Sequence, residues 1–398
     1  MQRIHIVGGG LAGLTAAITA AESRAPVTLH EAHHTLGGRA RTSEGPYLTN
    51  EGPHALYRRG PHWTWLGQRG LLGPIASVPP REGTRFLFHR DGALRRTPPL
   101  AMLRLARRST RSAPVDSDFL SWATGRAGAA GARAAAHYMG VALFHHDPGS
   151  LSAAFVQERL RRATALPPEA RYPVGGWAQL VDRMASRAWN LGVRIETDAR
   201  IGPRDLAGLR RGGPVIVATH LDSARALLED PALTWDSGRT ALLDLALKTR
   251  RGDPFIVCDL DAPGWIERFT AQDPTLAPAG EQLVQAQIPL APGASRADAV
   301  RRAEDLLDLG FPGWRDRTTW RREALASGRT GAVDRPGTTW RDRPAVDRGD
   351  GVLLAGDQVA APGLLSEVAF NSGIEAAALA MKLLGRTAQD LPRTAGTP

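Results

Sequence analysis

The hydrophobic pattern begins with a short apolar alternation at the start of the chain. Ile4, Ile6 and Val7 predict a buried strand that runs into a glycine-rich turn. The Ala-rich stretch 14–22 then predicts a helix, and 26–30 predicts a second strand. Strand, turn, helix and strand therefore follow one another within about thirty residues, an order typical of α/β folds with parallel strands.

Further buried strands are predicted much later in the chain. Residues 214–219 and 351–355 are apolar runs, and 351–355 precedes a helix predicted over 367–384. A further strand is expected at 192–196. The intervening parts contain a strand at 241–247 and helices at 129–146 and 297–309. This order predicts an α/β protein with a discontinuous Rossmann-like domain and an inserted α+β substrate domain. We expect the first domain to comprise 1–75, 173–232 and 346–398, and the second to comprise 76–172 and 233–345.

The first turn has the spacing of a dinucleotide-binding loop. Gly8 permits the tight turn, Gly10 lets the backbone approach a pyrophosphate, and Gly13 lets the helix pack closely on the sheet. Glu31 ends the second strand about 20 residues later, where a carboxylate can accept hydrogen bonds from ribose hydroxyls. The free N–H groups at the helix N-terminus would face the phosphates. The alternative is an incidental glycine-rich turn in another α/β protein.

A second glycine pair makes the resemblance more specific. Gly37, Gly38 and Arg39 follow the acidic residue at a short interval. This combination resembles the flavoprotein superfamily of flavin amine oxidases, protoporphyrinogen oxidases and phytoene desaturases. The resemblance implies that the nucleotide is FAD and that Arg39 supplies positive charge beside it.

The C-terminal region continues this resemblance. The strand at 351–355 leads into Gly356-Asp357, then into a loop that contains 363–365 and into the last helix. In the superfamily this arrangement borders the flavin, and Ile201 corresponds to a position near the adenine. The resemblance implies non-covalent FAD contacts at Gly8, Gly10, Leu11, Ala12, Gly13, Glu31, Ala32, Gly38, Arg39, Gly52, Pro53, His54, Ala55, Ile201, Gly356, Asp357, Gly363, Leu364 and Leu365.

His54 is the candidate catalytic residue, because the resemblance places its segment beside the flavin and a histidine titrates near neutral pH. The alternative is that His54 only shapes the loop. No metal site is expected. The adjacent pairs His33-His34 and His145-His146 would point in different directions on a helix.

Composition excludes several classes of protein. A single cysteine, Cys258, rules out an internal disulfide and a redox pair of cysteines. The chain has no membrane-spanning apolar run and no signal-peptide pattern, so we expect a cytoplasmic protein. The net charge is +10, but only two of the 50 basic residues are lysines, which suggests biased codon usage rather than nucleic-acid binding.

Much of this charge lies in residues 81–111, which hold nine arginines against two acidic residues, with apolar residues between them. Such interleaving favours contact with a membrane surface or with an anionic substrate, and a solvated helix face is the alternative. The oligomeric state is left open by the sequence.

The chemistry expected from the resemblance is hydride removal from a small, partly apolar metabolite, as in a desaturase or dehydrogenase of a biosynthetic pathway. A flavin amine oxidase is the alternative, but many of these enzymes place a lysine near the flavin. The chain offers only Lys248 and Lys382, which we expect to be exposed. A basic surface-binding protein that retains the nucleotide fold without redox turnover is a further alternative.

Overall fold

The computed structural model describes residues 2–52, 55–107, 109–328 and 330–385. The strands, in chain order, are β1 (Ile4–Val7), β2 (Val27–His30), β3 (Leu56–Tyr57), β4 (Ile75–Ala76), β5 (Phe86–Arg90), β6 (Ala93–Arg95), β7 (Ala170–Pro173), β8 (Arg194–Glu196), β9 (Val215–Val217), β10 (Arg239–Lys248), β11 (Ile256–Asp259), β12 (Gly264–Arg268), β13 (Glu281–Pro289), β14 (Thr318–Ser327) and β15 (Val352–Leu354).

The α-helices alternate with these strands and pack on their sheets. They are α1 (Leu11–Glu22), α2 (Pro61–Gln68), α3 (Pro80–Gly83), α4 (Leu100–Ala106), α5 (Phe119–Leu143), α6 (Ala153–Ala163), α7 (Trp177–Asn190), α8 (Pro203–Gly212), α9 (Leu221–Leu228), α10 (Arg296–Gly310), α11 (Trp314–Arg317) and α12 (Ser366–Leu383).

A five-stranded parallel sheet has the order β15-β9-β1-β2-β8. The central strand β1 is buried throughout, because α1 and α12 pack on the sheet with their small and apolar residues. Gly373 of α12 lies so close to α1 that a Cβ there would be 2.6 Å from the Ala12 carbonyl oxygen. The carboxyl ends of parallel strands meet at one edge, where open α/β sheets bind their ligands.

A seven-stranded sheet, which we call the insert sheet, combines both predicted inserts in the order β14-β10-β13-β12-β11-β5-β6. Its pairings are antiparallel except between β11 and β5. One face packs on α10 through the apolar residues of β10 and β13, and α5 packs against the other face. A small antiparallel sheet has the strand order β3-β7-β4. The domain boundaries themselves stay a prediction.

Two predicted elements differ from those observed. The helix expected at 129–146 begins at Phe119, where the Asp118 carboxylate caps it by accepting the Ser121 N–H. It is kinked at Gly128, whose φ is 70°. The second insert also contains the ten-residue strand β14, at a position where no strand was predicted. No helix in the described part of the chain has the length and apolarity needed to cross a bilayer.

Candidate functional site

A cavity of about 670 Å³ lies at the carboxyl edge of the parallel sheet. Its walls include the residues that end or follow four neighbouring strands: Val7 at the end of β1, His30 at the end of β2, Ala218 after β9 and Gly356 after β15. The position follows from the topology, because four parallel strands point their carboxyl ends toward it.

The N-terminus of α1 opens into this cavity. Gly10 is the N-cap and forms no side-chain cap, so the first N–H groups of the helix are not satisfied by a capping side chain. Leu11 and Ala12 line the cavity beside it. A Cβ on Gly10 would meet only the Gly37 carbonyl oxygen, at 3.8 Å. The turn therefore leaves room for an anionic group against a helix N-terminus.

Gly13 serves packing rather than the cavity. It does not line the cavity, and a Cβ at this position would collide with the carbonyl oxygen of Gly8. Gly8 itself has a φ of 110°, which favours glycine. The first and third glycines of the turn therefore fix the helix on the sheet, and the second leaves the space.

Glu31 is fixed at the end of β2 by backbone donors. The Gly9 N–H donates to its Oε2 at 2.7 Å, and the His33 N–H donates to its Oε1 at 2.9 Å. Burial alone would raise the pKa of this carboxyl, but the Gly9 and His33 donors outweigh burial and lower it. Glu31 is therefore an ionised acceptor on the cavity wall, and its remaining lone pairs can accept hydroxyl donors.

Arg39 and Asp357 join the two ends of the chain inside the cavity. Arg39 Nη1 lies 2.7 Å from Asp357 Oδ2. Burial acts to lower the pKa of Arg39, but the carboxylates of Asp357 and Glu51 outweigh it and raise that pKa. Both partners line the cavity, so a protonated guanidinium is fixed on its wall by a carboxylate.

The N-terminus of α12 faces the same cavity. Ser366 and Ala369 of this 18-residue helix line the wall, with Leu365 as its N-cap. Leu365 has a φ of 51°, a left-handed value that costs a leucine conformational energy. The positive end of a second helix dipole is therefore directed at the cavity.

Most of the predicted cofactor residues share this one cavity. Those that line it are Gly8, Gly10, Leu11, Ala12, Glu31, Ala32, Gly38, Arg39, Gly52, Ala55, Ile201, Gly356, Asp357 and Leu365. Gly13, Gly363 and Leu364 are not among its lining residues. Leu364 is buried, and the Gly363 carbonyl accepts a hydrogen bond from Arg159, so this loop supports the N-terminus of α12 from behind. Pro53 and His54, the candidate catalytic residue, lie outside the described residues.

The insert sheet closes the cavity on the opposite side. Its wall there is formed by Thr240 and Leu242 of β10, Ala326 of β14 and Phe144 after α5. None of these four residues was among the site residues predicted from the sequence. Their alternation along β10 is a signal that they share a face, but their position over the cavity depends on how the two sheets are packed.

Neither lysine reaches this cavity. Lys248 at the end of β10 and Lys382 near the end of α12 are both exposed and are absent from the cavity wall. The nearest strand positions at the wall are occupied by the uncharged Thr240 and Leu242.

One expectation about the histidines near the cavity is wrong. Residues 30–34 read His-Glu-Ala-His-His, so the expectation that the histidines show no H-E-x-x-H spacing is wrong. Here His30 ends a strand and 32–36 form bends, so the histidines do not share a helix face. His30 Nδ1 instead pairs with Glu196 Oε2 at 2.9 Å.

The basic tract 81–111 forms α3, β5, β6 and α4 of the insert. Glu82 is buried and pairs with Arg85 and, more closely, with Arg268. By contrast, five exposed arginines form no ion pair with the described residues: Arg95, Arg96, Arg104, Arg107 and Arg111. Leu100 at the start of α4 is 74% exposed among them. Contact of this tract with a membrane or with an anionic substrate stays a prediction.

Comparison with known proteins supports the fold. A family model described as an NAD(P)-binding Rossmann-like domain matches residues 6–71, which contain the glycine turn and Arg39. No curated protein matches the chain.

Solved structures match over nearly the whole chain. An oxidoreductase from Methanosarcina mazei has a TM-score of 0.71 at 15% identity, covering 94% of this chain and 99% of that one. Cyclohexylamine oxidase from Brevibacterium oxydans has a TM-score of 0.71 at 16% identity, covering 97% and 100%. Putrescine oxidase bound to putrescine has a TM-score of 0.69 at 14% identity, covering 97% and 99%. The predicted α/β Rossmann-like fold is confirmed, and the likeness to these oxidases is a likeness of fold.

Proposed function

We propose that this protein is an FAD-dependent oxidoreductase that removes a hydride from a small, partly apolar substrate. The observation that carries the proposal is the single cavity in which an uncapped helix N-terminus, Glu31 and the Arg39–Asp357 pair face the wall of the insert sheet. One half of the cavity has the features of a dinucleotide site, and the other half is mostly uncharged.

The residues present fit a flavin dinucleotide. Gly10 leaves a space that a Cβ would fill, and the N–H groups of Leu11 and Ala12 point to where a pyrophosphate can bind. Glu31 suits ribose hydroxyls, and Arg39 supplies positive charge. The N-terminus of α12 would stabilise negative charge on a ring placed against it. When bound, FAD supplies a hydride acceptor.

We assign the substrate side of the cavity to the wall formed by the insert sheet and Phe144. Phe144, Leu242 and Ala326 provide an apolar wall that orients a substrate and excludes water. Thr240 adds a hydroxyl whose Oγ1 is buried and has no partner among the described residues. With neither lysine at the wall, few groups are available for acid–base chemistry, which suits oxidation of a carbon–hydrogen bond in a desaturase or dehydrogenase reaction.

An amine oxidase activity is the second candidate. It is favoured by the likeness to cyclohexylamine oxidase and putrescine oxidase. The exposed positions of Lys248 and Lys382 weigh against it to the extent that such enzymes need a lysine at the flavin.

The test is anaerobic mixing of the FAD-loaded protein with two panels of compounds, followed through the loss of flavin absorbance. One panel holds neutral cyclic or alicyclic compounds with an activated C–H bond, and the other holds primary and secondary amines. Bleaching by the neutral panel supports the proposal, and bleaching by amines alone supports the second candidate. The variant Lys248→Met/Lys382→Met should reduce its flavin at the rate of the unmodified protein, since both residues lie outside the cavity.

A further inference from the structure

The face of the insert sheet that carries Leu242 also carries a fully buried glutamine, Gln287, which lies behind the residues that line the cavity. Gln287 of β13 lies directly opposite Leu242 of β10 in the antiparallel register, so both side chains share one face. Leu242 lines the cavity. Gln287 is 0% exposed, and neither its amide nitrogen nor its amide oxygen bonds to any residue in the described part of the chain.

Two residues near Gln287 also have buried polar atoms without a hydrogen-bond partner among the described residues. Trp265 of β12 pairs with Gln287 in register, and its indole N–H is buried without an acceptor. Thr240, two residues before Leu242, has a buried hydroxyl that also lacks a partner among the described residues. A buried polar group left unsatisfied destabilises the fold, and native proteins keep few of them. Several on one continuous face indicate that a ligand supplies their partners.

The side chains around these polar groups are either apolar or have their charge already paired. Tyr138 of α5 packs edge-on against Trp265, with ring centroids 6.2 Å apart. The Asp244 carboxylate on the same face accepts from Arg322 at 2.8 Å and from Gln285 at 2.5 Å, so its charge is compensated.

Glu267, two residues beyond Trp265, also accepts hydrogen bonds from neighbouring side chains. Its Oε1 accepts from the Tyr172 hydroxyl at 3.1 Å and from Gln272 at 2.7 Å. Burial raises the pKa of Glu267 to about 7, which favours the neutral acid in mildly acidic solution. The face around Gln287 therefore offers hydrogen bonds without an uncompensated charge.

We propose that Thr240, Trp265 and Gln287 bind an uncharged polar group of the substrate, of the carboxamide, lactam or hydroxyl type, carried on an apolar or aromatic body. Such a group both donates and accepts, and so it can satisfy both ends of the Gln287 amide. A protonated amine offers donors only and would bring an unpaired charge into this pocket. The inference rests on the proposed function, because it makes this face the substrate side of the flavin cavity.

The test uses the FAD-loaded protein and three ligands of matched size: benzamide, protonated benzylamine and benzoate. Binding is followed through the change in the flavin absorbance spectrum and through the melting temperature. Benzamide should bind most tightly. Gln287→Leu should weaken benzamide binding at least ten-fold, which is the expected loss for one satisfied buried amide. Gln287→Glu should reverse the preference toward benzylamine.

The control is Gln179→Leu, the same chemical change at an exposed position of α7, which should leave benzamide binding unchanged. The ligand-free Gln287→Leu variant should melt at a higher temperature than the unmodified protein, whereas removing a structurally bonded glutamine would lower it. The inference is overturned if benzamide binds Gln287→Leu as tightly as the unmodified protein, if benzylamine is preferred, or if the ligand-free variant is destabilised. A protein that takes up no FAD contradicts the proposed function instead, and benzamide binding to the flavin-free chain, followed by melting temperature, still decides the role of Gln287.

Discussion

Arg39 and Asp357 lie near opposite ends of the chain and form an ion pair of 2.7 Å inside the cavity. Arg39 follows the glycine pair 37–38, and Asp357 follows strand β15 of the parallel sheet. Each residue belongs to a segment that the sequence assigned to the cofactor. Their contact shows that the two segments line one cavity, and it fixes a guanidinium on the cavity wall.

Removing this charge should weaken cofactor binding. We expect Arg39→Ala to lower the affinity for FAD at least ten-fold, because an arginine at a phosphate or reduced ring supplies charge-assisted hydrogen bonds. Titration of the flavin-free protein with FAD, followed by quenching of flavin fluorescence, measures the effect. Arg251→Ala, at an exposed arginine of the insert, should bind FAD normally. Equal affinity of the two variants would remove Arg39 from the proposed cofactor site.

A substitution at Gly10 can separate an effect on FAD binding from an effect on folding. A Cβ there meets only a carbonyl oxygen at 3.8 Å, so Gly10→Ala should fold with an unchanged melting temperature when FAD is absent. The added methyl group would occupy the room left for the pyrophosphate, and FAD affinity should fall at least ten-fold. Gly125→Ala, in open space on α5, is the control. If Gly10→Ala retains full affinity, the pyrophosphate does not lie against this turn.

Glu267 should make stability depend on pH. Its pKa rises from 4.5 in the unfolded chain to about 7 in the fold, since burial penalises the charged form. The folded state therefore holds the proton more tightly, and its contribution to stability is lost as the pH rises through 7. Between pH 5 and 8, Glu267→Gln should gain about 2–3 kcal/mol in the free energy of unfolding relative to the unmodified protein. Urea titrations at the two pH values measure this difference, and a constant difference would contradict the assigned pKa.

The unpaired arginines of the basic tract predict binding to an anionic surface. We expect the protein to sediment with vesicles that contain phosphatidylserine and not with phosphatidylcholine vesicles, and binding should weaken as salt is added. Changing Arg95, Arg96, Arg104, Arg107 and Arg111 together to Gln should abolish this binding, because each arginine near such a surface contributes about 1 kcal/mol.

The matched control for the tract is Arg211→Gln/Arg251→Gln, at exposed arginines elsewhere in the chain. It should retain most of the vesicle binding. If the five-fold variant sediments as well as this control, the tract is a solvated surface and not a contact site.

The sequence predicted local features well where they depend on spacing along the chain. The strand at Ile4–Val7 and the turn of Gly8 and Gly10 lie as expected, because one short segment contains the whole signal. Strand β14 was not predicted, because none of its residues is fully buried, three of them are charged, and its structure depends on pairing with β10. The substrate side was missed for a related reason. Thr240 and Leu242 line the cavity, and Gln287 shares their face of the sheet. This arrangement follows from strand register and sheet packing, which link distant parts of the chain.

The most direct test of the proposed FAD site is the flavin content of the purified protein after incubation with FAD and removal of the excess. We expect a yellow protein that holds one FAD per chain, releases it unmodified on denaturation, and loses most of it in Gly10→Ala and Arg39→Ala. A colourless protein that retains no FAD under these conditions would contradict it.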